Sequence, residues 1–259
     1  MNMLMKAEIE EGIRRLSPFN HEIELPHGLW TRPPEQRRIN ENPPRVRELV
    51  THAFPTLLDA CGGSLEGLRV LDVACNSGGF SIEAAKRGAD FVLGVDVVER
   101  YVEQARFVKA ALGYENVEFE TLNVYDIEPE KVGHFDVTFC FGILYHLEDP
   151  VAAMRRLGEV TRRIMLVDTQ TMPMPPDDSR PLWRMNRAPK AGSGDEQRAG
   201  THLWRDRDYL QFEPSNAAVH RLLRFLGFDR VRQIKPVAEG LGRRYYEGRR
   251  TTFLAVRKP

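Results

Sequence analysis

From Leu68 onward, short apolar runs and helix-like stretches alternate with a regularity that few architectures accommodate. The runs RVLDVA (69–74), FVLGVDV (91–97), VEFETL (117–122), FDVTFCFGI (135–143) and RIMLVDT (163–169) are strand-sized. Most are apolar nearly throughout, as a strand is when both of its faces are covered. Helix-like stretches at about 79–88, 98–112 and 150–160 separate them. In the second of these, Val98, Tyr101, Val102, Ala105, Val108 and Leu112 recur at helical spacing, so one face packs against a sheet. Asp149 followed by Pro150 supplies an N-cap and a first-turn residue for the third. Such succession predicts a parallel sheet with crossover helices.

Elsewhere the pattern is looser. Ile9, Ile13 and Leu16 mark a helix over Met1–Leu16, and the alternating run Glu22 to Leu25 leads into the Pro/Arg-rich stretch LPHGLWTRPPEQRRINENPPR, read as a lid. Arg45 to Ala60 reads as one helix kinked at Pro55 and closed by Gly62-Gly63. After Asp168 the rhythm breaks for more than forty residues, and a loop that long is functional or disordered. Trp183, Met185, Trp204, Tyr209 and Phe212 argue for the first, because a linker seldom carries so many large apolar groups. A helix over Ser215–Gly227 and strands near 230–237 and 251–258 follow. The expected fold is therefore α/β: Rossmann-like, doubly wound, a mostly parallel seven-stranded sheet with an antiparallel last strand. Its expected divisions are N-terminal helices and lid over 1–60, then one domain over 61–259 with 171–214 as a cap on the active site.

The chain has 259 residues, enough for one large α/β domain or two small ones. Lys plus Arg (37) balances Asp plus Glu (37), so no overall field draws nucleic acid or an anionic membrane. Locally, 171–214 carries seven basic and seven acidic residues, whereas 221–250 carries nine basic against three acidic. Cys61, Cys75 and Cys140 form no CxxC pair and no disulfide framework, which fits a reducing, cytoplasmic setting. Acidic residues in MNMLMKAEIEEGIRRL stand where a signal peptide has its apolar core, and no apolar run is long enough to span a membrane.

The segment VLDVACNSGGFSIEAAKRGA sets a strand, a tight turn with Gly78 and Gly79, and a helix in succession, as where a nucleotide-like ligand meets the carboxyl edge of a doubly wound sheet. Asp72 lies just before the turn and Asp96 ends the next strand, where a carboxylate accepts both hydroxyls of a ribose. The turn ACNSGG lacks the third glycine of GxGxxG and is not built for a pyrophosphate. Together VLDVACNSGGF, the acidic end of strand two and NVYDI resemble the first three motifs of class I S-adenosylmethionine-dependent methyltransferases. The family turn is usually DxGxGxG, and here Ala74 and Asn76 replace its first two glycines. Asn tolerates left-handed geometry better than most residues, so Ala74 is the larger departure. The resemblance implies S-adenosylmethionine as cofactor. It places Asp72 and the backbone of Ala74, Cys75, Asn76 and Gly78 at the methionine part, and Asp96 at the ribose. It also places Val97 on the adenine face and Asn123, Val124 and Asp126 at the adenine rim, with Phe141 completing the set.

GILYHLEDP is similar to the GVLYH segment of the subgroup that includes the tRNA wobble-uridine carboxymethyltransferases, and HEIELPHGLWTRP resembles the lid of its short relatives. Methyl transfer to a hydroxyl needs in-line alignment and a base. His146 is the leading base and Tyr145 the residue that orients donor or acceptor. Asp168, ending strand five, orients the base, binds a substrate hydroxyl or holds a cation, which leaves Mg²⁺ as a candidate second cofactor. His21, His27, His202 and Glu213 are weaker candidates. The structural alternatives are ordinary: a histidine after a strand often only hydrogen-bonds, and a strand-ending carboxylate often caps a turn. The expected acceptor is a hydroxylated small molecule, a saccharide or glycosylated natural product, because a capped, dry pocket suits a compact substrate. Nucleic acid, as tRNA, is the alternative partner, and a non-catalytic S-adenosylmethionine-binding protein a second one. A homodimer is compatible with all three readings, and a membrane partner with none.

Overall fold

The structure, a computed structural model, describes residues 4–33, 45–175, 178–188, 209–236 and 241–258. Packing divides it into two compact units, Met1–Leu122 and Asn123–Pro259.

The first unit opens with α1 (Lys6–Leu16), the two-residue strands β1 (Glu24–Leu25) and β2 (Leu29–Trp30), α2 (Arg45–His52) and α3 (Phe54–Cys61). The single kinked helix expected over 45–60 is thus two helices broken at Ala53. Pro55 lacks the N–H a continuing helix needs and sits instead in the first turn of α3, where none is required. Then come β3 (Arg69–Val73), α4 (Gly79–Lys86), β4 (Phe91–Asp96), α5 (Glu99–Leu112) and β5 (Val117–Thr121), with β3–β4 and β4–β5 parallel. Ile9, Leu16, Phe19, Ile23 and Leu25 bury themselves against Ile82, Val108 and Ala111. At roughly 1.5–3 kcal/mol per buried large apolar side chain, this cluster holds the N-terminal segment on α4 and α5. Of the expected lid, residues 25–33 lie within the described residues; Leu25 is buried in this cluster and Leu29 packs against it, because the alternation through Glu22–Leu25 turns Ile23 and Leu25 inward, while His27 and Gly28 are exposed. Gln104 fastens the N-terminal segment further, donating to the carbonyls of Leu16 (2.7 Å) and Pro18 (2.8 Å).

The second unit holds α6 (Pro129–Val132), β6 (Phe135–Phe141), α7 (Pro150–Val160) and β7 (Thr161–Gln170). It continues with β8 (Trp183–Ala188), β9 (Tyr209–Pro214), α8 (Asn216–Phe225), β10 (Arg230–Ile234), α9 (Arg243–Tyr246) and β11 (Arg250–Val256). Asp149 caps α7 by accepting from Ala152 N–H, as the Asp-Pro pair predicts. β6 pairs with β7 in parallel, while β11 runs antiparallel to both β7 and β10. One seven-stranded sheet results, in the order β10-β11-β7-β6-β3-β4-β5, mostly parallel with an antiparallel last strand as the sequence pattern implies. The described ends of the 171–214 insertion form the antiparallel hairpin β8–β9, and 189–208 lie outside the described residues. No described helix is long and apolar enough to cross a membrane.

Candidate active site

In the first unit, β3 stops at Val73 because the next residues leave the extended region: Ala74 (φ 57°), Asn76 (φ 51°) and Gly78 (φ 81°) are all left-handed. Asn76 stabilises its own conformation, its side-chain oxygen accepting from Ser77 N–H (2.8 Å). Ala74 has no such compensation and bears the ordinary cost of roughly 1–2 kcal/mol for an L-residue there. Gly78 is required twice over, by its φ and because a Cβ would stand 2.6 Å from the Phe119 ring.

Two carboxylates meet this turn. Asp72 is 1% exposed; one oxygen accepts from Ser81 Oγ (2.6 Å) and the other, buried, accepts nothing. Burial pushes its carboxyl up to about 7, against the pull of the Ser81 bonds and with a further push from Asp96. Asp96, 7% exposed, spans from β4 to the turn: Oδ2 accepts from Asn76 N–H (2.9 Å) and Oδ1 from Val98 N–H (3.0 Å). Burial raises it to about 6, with those backbone bonds opposing. Neither acid makes an ion pair among the described residues. Cys75 is buried beside them, its thiol held well up by burial and by both carboxylates, while Val97 is exposed. The structure thus gathers Asp72, Ala74, Cys75, Asn76, Gly78 and Asp96 around one turn.

His21, a weak candidate for a base, has a different part. Its Nδ1 accepts the N–H of Gly79 (3.1 Å) at the start of α4, and its ring meets Phe80 edge-on. Burial, aided by Arg45, depresses the imidazole to about 4, so it stands neutral. Thr31 fixes the backbone around it, donating to the His21 carbonyl (2.7 Å) and accepting from Ile23 N–H (2.9 Å). His27 is exposed, and His202 lies outside the described residues.

In the second unit, Gly142 (φ 77°) ends β6, and a 3-10 turn over Leu144–His146 follows. Tyr145 and His146 pack ring to ring at 4.2 Å between centroids, and β9 packs against their turn. Asp168, fully buried in β7, takes donors on both oxygens. Arg250 Nε (2.7 Å) and Nη2 (2.6 Å) reach Oδ1, while the hydroxyls of Tyr245 and Thr252 reach Oδ2 at 2.7 Å each. Burial alone would lower the Arg250 guanidinium, but the Asp168 carboxylate, with Tyr145 and Tyr245, holds it above its ordinary value. Arg250 in turn reaches Tyr145, Nη1 to the hydroxyl at 3.5 Å and its guanidinium carbon 5.7 Å from the ring centroid. Asp168 is therefore connected to Tyr145 through Arg250, and both of its oxygens accept from neighbouring side chains. Among the described residues no group of three or more His, Cys, Asp or Glu is placed to hold a metal. Asn123 caps the 3-10 turn Val124–Asp126, on which Val124 is buried and Asp126 exposed, and Phe141 stacks on Phe139 at 5.0 Å. Glu213 pairs with Arg184 Nε (3.0 Å) across the β8–β9 hairpin.

Arg250, Tyr245, Thr252 and Ser81 carry no motif, and only the basic bias of 221–250 hinted at the first. Residues 64–187 match the methyltransferase domain family. A methyltransferase domain thus occupies this part of the chain. The chain is similar to the ubiquinone biosynthesis O-methyltransferase of Neisseria meningitidis serogroup C, 30% identical over 158 residues, 61% of this chain and 60% of that one. The enzyme of the same name from Leptothrix cholodnii is 29% identical over 140 residues, 54% and 55% of the two chains. The match thus spans about 60% of the length of the first of these relatives. Among solved structures, the N-terminal domain of EvdMO1 in the presence of SAH and D-fucose superposes with a TM-score of 0.71 at 18% identity, covering 99% of this chain and 98% of that one. Magnesium protoporphyrin IX methyltransferase from Synechocystis PCC 6803 with bound SAM gives 0.53 at 21% identity, covering 82% and 80%. These likenesses support the methyltransferase fold.

Proposed function

We propose that this chain is an S-adenosylmethionine-dependent O-methyltransferase whose acceptor is a hydroxylated small molecule, a saccharide or glycosylated natural product. The observation that carries the reading is the pair of buried acids, Asp72 in β3 and Asp96 at the end of β4, beside a left-handed turn and without a basic partner among the described residues. Buried charges are normally paired, so the turn is prepared for a cation. The residues fit the cofactor's charge and shape: the unused Asp72 oxygen faces no donor, and each Asp96 oxygen keeps a lone pair for a ribose hydroxyl. When bound, the sulfonium cofactor supplies an electrophilic methyl group.

The chain's own residues then have defined work. An imidazole nitrogen of His146 takes the proton that the acceptor hydroxyl loses as its oxygen bonds to carbon. Tyr145, packed on that ring, orients the acceptor, and the Asp168–Arg250 pair holds Tyr145. β9, lying on the same turn, helps exclude water. The names of the curated relatives describe O-methyl transfer, which supports oxygen as the accepting atom.

The test offers methyl-labelled cofactor to pools of hydroxylated small molecules and to bulk tRNA, with and without Mg²⁺. Label in small-molecule methyl ethers is expected, and His146→Ala should cut that turnover about 10²-fold while cofactor affinity stays within a few-fold. Label in tRNA alone overturns the acceptor class. Binding of the cofactor without transfer to any pool favours a non-catalytic binding protein.

A further inference from the structure

Within the second unit a cavity of about 640 Å³ lies against the start of α8, and none of Tyr145, His146 and Asp168 lines it. That volume is in the range of small-molecule sites, roughly 300–1,000 Å³. Pro173, Met174 and Pro175 give it an apolar wall; Asn216, His220 and Arg221 face it from α8. The side-chain oxygen of Asn216 is buried and accepts no hydrogen bond, an arrangement that native structures rarely leave without a partner. Arg221 forms no ion pair with a described carboxylate. The two acids on the rim are already neutralised, Asp178 by Arg180 (2.6 Å) and Glu247 by Arg243 (2.5 Å) and Arg249 (3.5 Å). Both carboxylates that line the cavity are thus paired with arginines beside it, and the Arg221 guanidinium is left without a described carboxylate partner.

An unused acceptor calls for a hydroxyl donor, an uncompensated guanidinium for an oxyanion, and a proline-methionine wall for the apolar face of a compact ring. From these three we infer that the cavity is a binding site for a hydroxylated acid, a sugar-sized molecule bearing a carboxylate or a phosphate. The inference goes beyond the proposed activity and does not require it.

Calorimetry on the whole chain tests it with D-glucuronate, D-glucose 6-phosphate, D-glucose and inorganic phosphate. At least one of the two acids should bind with Kd below roughly 1 mM and about tenfold more tightly than glucose, and the tighter of them identifies the oxyanion. Arg221→Ala, at an exposed position, should weaken that acid about tenfold. Asn216→Ala should weaken it several-fold and leave inorganic phosphate unaffected. Glucose binding as tightly as both acids, or unchanged affinity in both variants, overturns the assignment. S-adenosylhomocysteine titrated in parallel separates the two readings. A chain that binds it and ignores both acids refutes the cavity alone; one that binds an acid and ignores it refutes the proposed activity alone.

Discussion

The hydrogen bond from Gly79 N–H to His21 Nδ1 makes acid a specific perturbation of the first unit, because a protonated Nδ1 cannot accept. His21 is depressed from 6.5 to about 4 by burial and by Arg45. Between those values the unfolded chain holds a proton on this side chain that the folded chain refuses, so folding stability falls with falling pH. The contribution is complete above 6.5 and is lost as the pH drops through the window toward about 4. At about 1.4 kcal/mol per unit, the loss between pH 7.5 and pH 4.5 comes to roughly 2–3 kcal/mol. Asp72 opposes it. Its carboxyl, raised from 3.8 to about 7, binds a proton more readily in the folded chain, so acid stabilises the fold through that group over an overlapping range. A pH profile of the wild type alone therefore mixes two effects of opposite sign. His21→Gln separates them, since a glutamine oxygen accepts from Gly79 without titrating. Urea denaturation of both proteins from pH 7.5 to 4.5 should show the stability advantage of wild type over His21→Gln shrinking by roughly 2–3 kcal/mol. A constant difference across the range would refute the assignment of the imidazole as a neutral acceptor.

Asp96→Ala removes the acceptor for Asn76 N–H and for the incoming ribose, and should weaken S-adenosylhomocysteine by roughly 1.5–3 kcal/mol in a calorimetric titration. Asp168→Asn leaves the Arg250 guanidinium buried beside a neutral group, and chemical denaturation should register a loss of about 3–5 kcal/mol. Ala74→Gly releases left-handed strain and gives back part of the gain as chain entropy, for a net stabilisation of roughly 0.5–1 kcal/mol by thermal or urea melting.

Patterns that repeat along the chain were legible without coordinates. The alternation of apolar strands and amphipathic helices determined the sheet, its parallel sense and the position of α7 behind Asp149-Pro150, because these follow from neighbours three or four residues apart. Asp72, the left-handed turn and Asp96 were legible for the same reason: they sit at strand ends that the pattern itself locates. Pairings between distant segments were not. His21 and Gly79 are 58 positions apart and Asp168 and Arg250 are 82, so neither partner carries a mark of the other in its local sequence. Asp168 reads as a free strand-end acid until β11 is laid antiparallel beside β7, which aligns Thr252 with it and delivers Arg250 and Tyr245 to its oxygens. Whether a buried carboxylate is committed or available depends on which donors the fold brings within about 3 Å, and only the tertiary structure decides that.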